Sequence, residues 1–135
     1  MPAQDIIAIG GSAGGLEALA TVLSGLPRNL NASVFVVLHT SPQSGGALPQ
    51  ILARTANLPV DFAVDGEVLQ RGRVYVAPPD HHLTFDDGTI SVARGPRENG
   101  FRPAVDPLFR SAAKQYNSRV VGVILSGAMD DGTFG

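Results

Sequence analysis

A serine, a histidine and a pair of aspartates stand in this sequence where apolar runs stop. Ser12 follows "IIAIGG", His39 closes "SVFVVL", and Asp130 and Asp131 follow "VVGVIL" within "SGAMDDG". These are the residue types that a nucleophile, a general base and an orienting acid require. A serine hydroxyl is a weak nucleophile at neutral pH and needs a base placed to take its proton. Imidazole has a suitable pKa, and a buried carboxylate fixes its tautomer and stabilises the imidazolium that forms. The chemistry such a trio supports is attack on a carbonyl.

The spacing around the serine is Gly10-x-Ser12-x-Gly14, which matches the G-x-S-x-G elbow. Small neighbours there are expected to allow a strained turn that exposes Oγ at a helix N-terminus. Leu16, Leu19, Leu23 and Leu26 share one helix face and Pro27 closes the segment, so the helix is expected directly after the turn. Its first backbone N–H groups can help receive an oxyanion, and "SGAMDDG" offers further donors.

Plainer readings compete residue by residue. Ser12 could cap the helix, with Glu17 adding a carboxylate in its first turn. His39 could be a structural histidine at a strand end, and Asp130 and Asp131 could be turn residues before Gly132. A dinucleotide fingerprint aligned on Gly10 requires glycine where Ser12 stands, and His39 and Thr40 occupy the place of the ribose-binding acid. A P-loop fails because Leu16 and Glu17 follow the glycines. Asp80, His81 and His82 make a poor metal site, because adjacent residues on a strand point to opposite faces. Only the carbonyl-attack reading uses all three strand ends at once.

Those strand ends must come from one sheet. Asp5 to Ile9, apolar from Ile6 onward, and "SVFVVL" over Ser33 to Leu38 read as strands buried on both faces, which implies a parallel sheet with a right-handed helical crossover. "ALPQILARTA" reads as a helix with Pro49 in its first turn, and "VDFAV" and "RVYVA" read as strands. "LTFDDGTISV" is a hairpin signal with Asp87-Gly88 as a type I′ turn. Asp106 before Pro107 reads as an N-cap ahead of a helix whose apolar stripe is Leu108, Ala112 and Tyr116. "VVGVIL" is the last strand. The expected fold is α/β and Rossmann-like in three layers: a doubly wound, mainly parallel sheet flanked by helices, with a β-hairpin. Carboxyl ends of such strands share one edge, where ligands and reactive groups gather. A strand of this type normally feeds a covering helix, so a stop at Gly135 reads as C-terminal truncation.

Composition narrows the classes. The chain has 135 residues, 44% hydrophobic and 16% charged, and no cysteine. That fits one folded domain over residues 1–135 and excludes disulfides, thiolate metal sites and cysteine nucleophiles. The net charge is −2 and the basic residues are scattered, so nucleic acid is not an expected partner. No apolar run approaches the roughly 20 residues that span a bilayer, and no leader pattern opens the chain, so the reading is cytoplasmic without membrane insertion.

Four segments, "IGGSAGGLEAL", "VVLHTSP", "FRPAVDPLF" and "GVILSGAMDDG", resemble in order and interval the motifs of the chemotaxis protein-glutamate methylesterase catalytic domain, the CheB type. The resemblance covers essentially the whole chain. It implies a serine esterase with the catalytic triad Ser12, His39 and Asp131, since the family's aspartate directly precedes the glycine of its last motif. It implies demethylation of glutamate γ-methyl esters on chemoreceptors through an acyl-enzyme, and a protein-glutamine glutaminase activity on receptor glutamines. The oxyanion-hole N–H groups fall near Ala128, with Ala13 as a second candidate, and no cofactor or metal is implied. Arg102 and Asp106 fall in a segment expected near the cleft without an assigned role, and His82 matches a polar position only loosely.

The implied partners are methyl-accepting chemotaxis receptors and a separate phosphorylated receiver domain. The receiver domain that precedes the typical catalytic domain is expected to be absent, as is the family's C-terminal portion. The competing reading is a catalytically weak or inactive receptor-binding or regulatory module of the same fold.

Overall fold

The computed structural model of the chain describes residues 5–39, 47–86, 88–96 and 103–125. In chain order its elements are β1 (Ile6–Ser12), α1 (Leu16–Ser24), β2 (Ser33–His39), α2 (Leu48–Ala53), β3 (Val60–Phe62), β4 (Val74–Val76), β5 (His82–Asp86), β6 (Thr89–Ala93), α3 (Val105–Tyr116) and β7 (Val120–Leu125). Five strands form one sheet in the order β3-β4-β2-β1-β7. Every pairing in it is parallel. The chain leaves β1 toward β2 on one side and returns through α3 to β7 on the other, which makes the carboxyl end of β1 the topological switch point.

Alternation along the strands divides the core. Ile6 and Ala8 of β1, Phe35 and Val37 of β2 and Tyr75 of β4 pack with Val105, Leu108 and Ala112 of α3 and with Leu83, Phe85 and Ile90 of the hairpin. On the other face Ile9, Val34, Val36, Leu38, Val74 and Val76 pack with Leu19 and Leu23 of α1 and Leu48 and Leu52 of α2. The expected doubly wound three-layer α/β fold is the one observed. Neither α1 nor α2 has a side-chain cap bond. Each fully buried leucine contributes roughly 1.5–3 kcal/mol, so packing on the sheet, more than the caps, holds these short helices.

The hairpin β5–β6 lies against α3. Asp86 and Thr89 are register partners and Gly88 has φ +86°, the left-handed backbone that a two-residue type I′ loop needs. Asp87 lies outside the described residues. An aromatic series ties the layers together. Phe35 stacks on Tyr75 at 5.0 Å, the edge of Phe85 meets Phe35 at 4.5 Å, and Tyr116 meets Phe85 at 5.3 Å. The Phe85 N–H also donates to Ser111 Oγ at 3.1 Å.

One helix boundary corrects the sequence reading. α3 starts at Val105, and its N-cap is Ala104, with φ −115° and ψ 153° and no side-chain cap bond. Asp106 is therefore inside the first turn rather than the cap, and it is 2% exposed. Pro107 is still tolerated, because N–H groups of the first turn have no partner within the helix. Leu108 and Ala112 are fully buried, as the stripe predicts.

At the amino edge of the sheet, away from Ser12, the buried carboxylate of Asp5 joins three elements. Arg119, just before β7, donates Nε to Oδ1 at 2.8 Å and Nη2 to Oδ2 at 2.7 Å. Arg71, before β4, donates Nη2 to Oδ2 at 2.7 Å. The hydrogen bonds from Arg119, then those from Arg71, hold the Asp5 carboxyl at about 2 against the opposing effect of burial.

Candidate active site

Seven consecutive residue pairs join β1 to β2, from Ile6 with Ser33 to Ser12 with His39. Ser12 and His39 are thus the last residues of adjacent parallel strands, and they face each other in register. Parallel neighbours lie about 4.8 Å apart, and register partners project to the same face. Ile6 and Ala8 face α3 and Ile9 faces α1, so the alternation carries Ser12, and His39 with it, to the α3 side.

The two glycines before Ser12 serve close packing. A Cβ on Gly10 would come within 2.6 Å of Val105 Cγ2. The first turn of α3 therefore rests directly on β1, two residues before the serine. A Cβ on Gly11 would come within 2.6 Å of the Leu125 carbonyl oxygen on β7. Gly14 is open: a Cβ there would be 3.8 Å from Ser12 Oγ. The strained elbow expected from G-x-S-x-G is not what forms. Among the described residues positive φ occurs at Asp80, Asn117, Gly66, Gly72 and Gly88, and at none of Gly10 to Gly15. β1 runs straight through Ser12 into a 3₁₀ turn, Ala13–Gly15, and on into α1. The N-cap of α1 is Gly15, so Ser12 does not cap that helix.

Ala13, the second oxyanion candidate, occupies the first position of that 3₁₀ turn. β7 pairs with the other side of β1 and its last residue, Leu125, is the partner of Gly11. The strand carrying Ser12 therefore lies between the strand that ends at His39 and the strand that leads to "SGAMDDG". Asp130, Asp131 and Ala128 lie outside the described residues, as does Arg102.

The "PPDHH" segment resolves into two different histidines. His81 precedes β5 and its Nδ1–H donates to the Pro79 carbonyl at 2.7 Å. Asp80 pairs with Arg94. His82 is buried at 7% exposure; its Nε2–H donates to the Pro96 carbonyl at 2.6 Å and its Nδ1 accepts the Ala104 N–H at 3.3 Å. These partners define a neutral imidazole with the proton on Nε2. Sequence reading attached no role to His82, because its partners are backbone groups without a side-chain signature. Among the described residues no three His, Asp or Glu side chains gather as metal ligands. No helix among them is long and apolar enough to cross a membrane.

Fold and strand ends together define a doubly wound α/β protein that presents a serine and a histidine at its switch point. The profile of the CheB methylesterase family matches residues 7–135, and the chain belongs to that family. A protein of Leptospira interrogans is 39% identical over 132 residues, which cover 97% of this chain and 68% of that protein. In Anaeromyxobacter dehalogenans a relative named protein-glutamate methylesterase/protein-glutamine glutaminase 2 is 41% identical over 131 residues, 97% of this chain and 38% of its own length. The crystal structure of the Thermotoga maritima CheB methylesterase catalytic domain superposes with a TM-score of 0.90 at 36% identity, over 98% of this chain and 72% of that one. The chain thus spans about two thirds of the Leptospira relative and well under half of the Anaeromyxobacter one. The hydrolase class expected from the residues agrees with the names these relatives carry.

Proposed function

We propose that the chain carries the catalytic centre of a protein-glutamate methylesterase, with Ser12 as nucleophile, His39 as base and then acid, and Asp131 as the carboxylate that orients His39. The observation that carries this reading is the register pairing of Ser12 with His39 at the switch point of a family-matched sheet. Ser12 Oγ attacks the γ-carbonyl carbon of a glutamate methyl ester while His39 takes the hydroxyl proton. The tetrahedral oxyanion collapses, the C–O bond to the methoxy group breaks, and His39 returns the proton so that methanol leaves. Water then attacks the acyl-enzyme, gives a proton to His39 and releases a glutamate side chain and free Ser12. With a glutamine substrate the same steps release ammonia, in keeping with the glutaminase half of the name the Anaeromyxobacter relative carries.

Backbone N–H groups at Ala13 and Ala128 are the proposed oxyanion donors. Ala13 lies in the turn that leads into α1, where the helix N-terminus favours negative charge. The substrate class, methylated chemoreceptor helices, and control by a phosphorylated receiver domain belong to the same proposal.

The test is methanol release from a receptor peptide carrying glutamate γ-methyl ester. Ser12→Ala is expected to abolish it while leaving the circular dichroism spectrum unchanged. Undiminished release by a folded Ser12→Ala protein would remove the proposal. A folded parent that releases no methanol would favour a receptor-binding module without turnover.

A further inference from the structure

The buried imidazole of His82 is remote in sequence from Ser12, yet it is bonded to the element on which the Ser12 strand rests. Its Nδ1 accepts the N–H of Ala104, the N-cap of α3, and its Nε2–H donates to Pro96. Ala104 and Val105 are 0% and 1% exposed. Val105 in turn fills the space where Gly10 lacks a side chain, two residues before Ser12 on β1. We infer that His82 is a positioning residue: through the Ala104 N–H it sets the height of the first turn of α3 under β1, and thereby the place of Ser12 relative to His39.

The geometry favours this over a purely stabilising role. The hairpin is already fastened to α3 further along by the Phe85 N–H to Ser111 Oγ bond and by the ring contact of Phe85 with Tyr116. Neither of those reaches the first turn, whereas the His82 bond ends on the residue that begins it. Ala104 is extended and α3 has no side-chain cap of its own. An external acceptor for a helix-start N–H therefore fixes where the helix begins.

The two ring nitrogens can be separated by substitution. Asparagine places its side-chain oxygen near the position of Nδ1 and can keep accepting from Ala104. Glutamine places its amide nitrogen near Nε2 and can keep only the bond to Pro96. The inference rests on Ser12 being the nucleophile, so the experiment reads both backbone and chemistry: amide hydrogen exchange at Ala104, amide chemical shifts of Gly10 and Ser12, and the rate at which a fluorophosphonate modifies Ser12.

For His82→Asn the expected result is a protected Ala104 amide, parent-like shifts at Gly10 and Ser12, and a labelling rate close to the parent's. His82→Gln is expected to lose the Ala104 protection, to move both shifts, and to slow labelling about tenfold or more, since a small displacement of a nucleophile is costly. Equal behaviour of the two variants, or parent-like labelling and shifts in a His82→Gln protein whose Ala104 amide exchanges freely, would overturn the inference. If the parent itself is not labelled, the methylesterase reading falls. The Gly10 and Ser12 shifts then decide the positioning role on their own: movement in the glutamine variant alone supports it, and no movement rejects it.

Discussion

Ser12 and His39 are register partners at the carboxyl ends of β1 and β2, fixed there by six further pairs of the same two strands. Their separation is set by backbone pairing in the middle of a five-stranded sheet. Side chains carried on paired strands are placed more precisely than side chains carried on loops. Replacing His39 by glutamine should therefore remove the base without disturbing the sheet. Turnover should fall about 10²- to 10⁴-fold while the melting temperature stays near the parent's. Steady-state methanol release and thermal unfolding check the two halves separately, and a turnover within a few-fold of the parent's would show that His39 is not the base.

Gly10 is required by the helix above it. Gly10→Ala pushes a methyl group into Val105 and should cost about 1–3 kcal/mol, the range for overpacking a filled core. Val105→Ala in the same chain should recover part of that loss, because it removes the atoms that clash. Chemical unfolding of the two single variants and the double variant measures the coupling, and strictly additive losses would contradict the contact.

The elements were not equally legible in the sequence. β1 and β2 were readable because a strand buried on both faces must be continuously apolar, and the hairpin because Asp87-Gly88 suits few other turns. The α3 stripe was readable, but its start was not. Asp106 and Pro107 fit the rules for a cap and first position, yet the extended backbone falls at Ala104, which carries no capping side chain. G-x-S-x-G suggested a strained turn at Ser12, whereas Gly10 and its neighbour Gly11 answer to the close approach of Val105 and Leu125. Those neighbours lie far along the chain, as do the partners of Asp5, 66 and 114 residues away. No local pattern encodes such distances. For Asp131 and Ala128 the motif order remains the basis of assignment.

The amino edge of the sheet should make the fold sensitive to acid. Asp5 has a folded pKa of about 2, below its ordinary 3.8, so the unfolded chain binds its proton first as the pH drops. The stabilisation is present in full above about pH 4–5 and is lost progressively as the pH falls toward 2. It amounts to roughly 1–2 kcal/mol once solvent screening of the half-exposed Arg71 and Arg119 is allowed for. Asp5→Asn should lower stability at pH 7 and flatten the dependence below pH 4. A variant with the parent's acid limb would show that Asp5 is not its source.

Ser111 offers a smaller test of how the hairpin is held. Its Oγ accepts the Phe85 N–H and donates to the Leu108 carbonyl at 3.1 Å. Ser111→Ala leaves a strand N–H without its acceptor and should cost about 1–2 kcal/mol. The loss should fall on the hairpin, seen as faster amide exchange at Phe85 while Ser12 and His39 keep their register. Unchanged exchange at Phe85 would argue against this bond as the hairpin's anchor.

The central claim is that Ser12 is a nucleophile activated by His39, and covalent modification reads it most directly. The parent protein should take up one fluorophosphonate per chain, located on Ser12 by peptide mass spectrometry. His39→Gln should slow that reaction by orders of magnitude, and Ser12→Ala should abolish it. Modification elsewhere, or at an equal rate in the parent and His39→Gln proteins, would contradict the account.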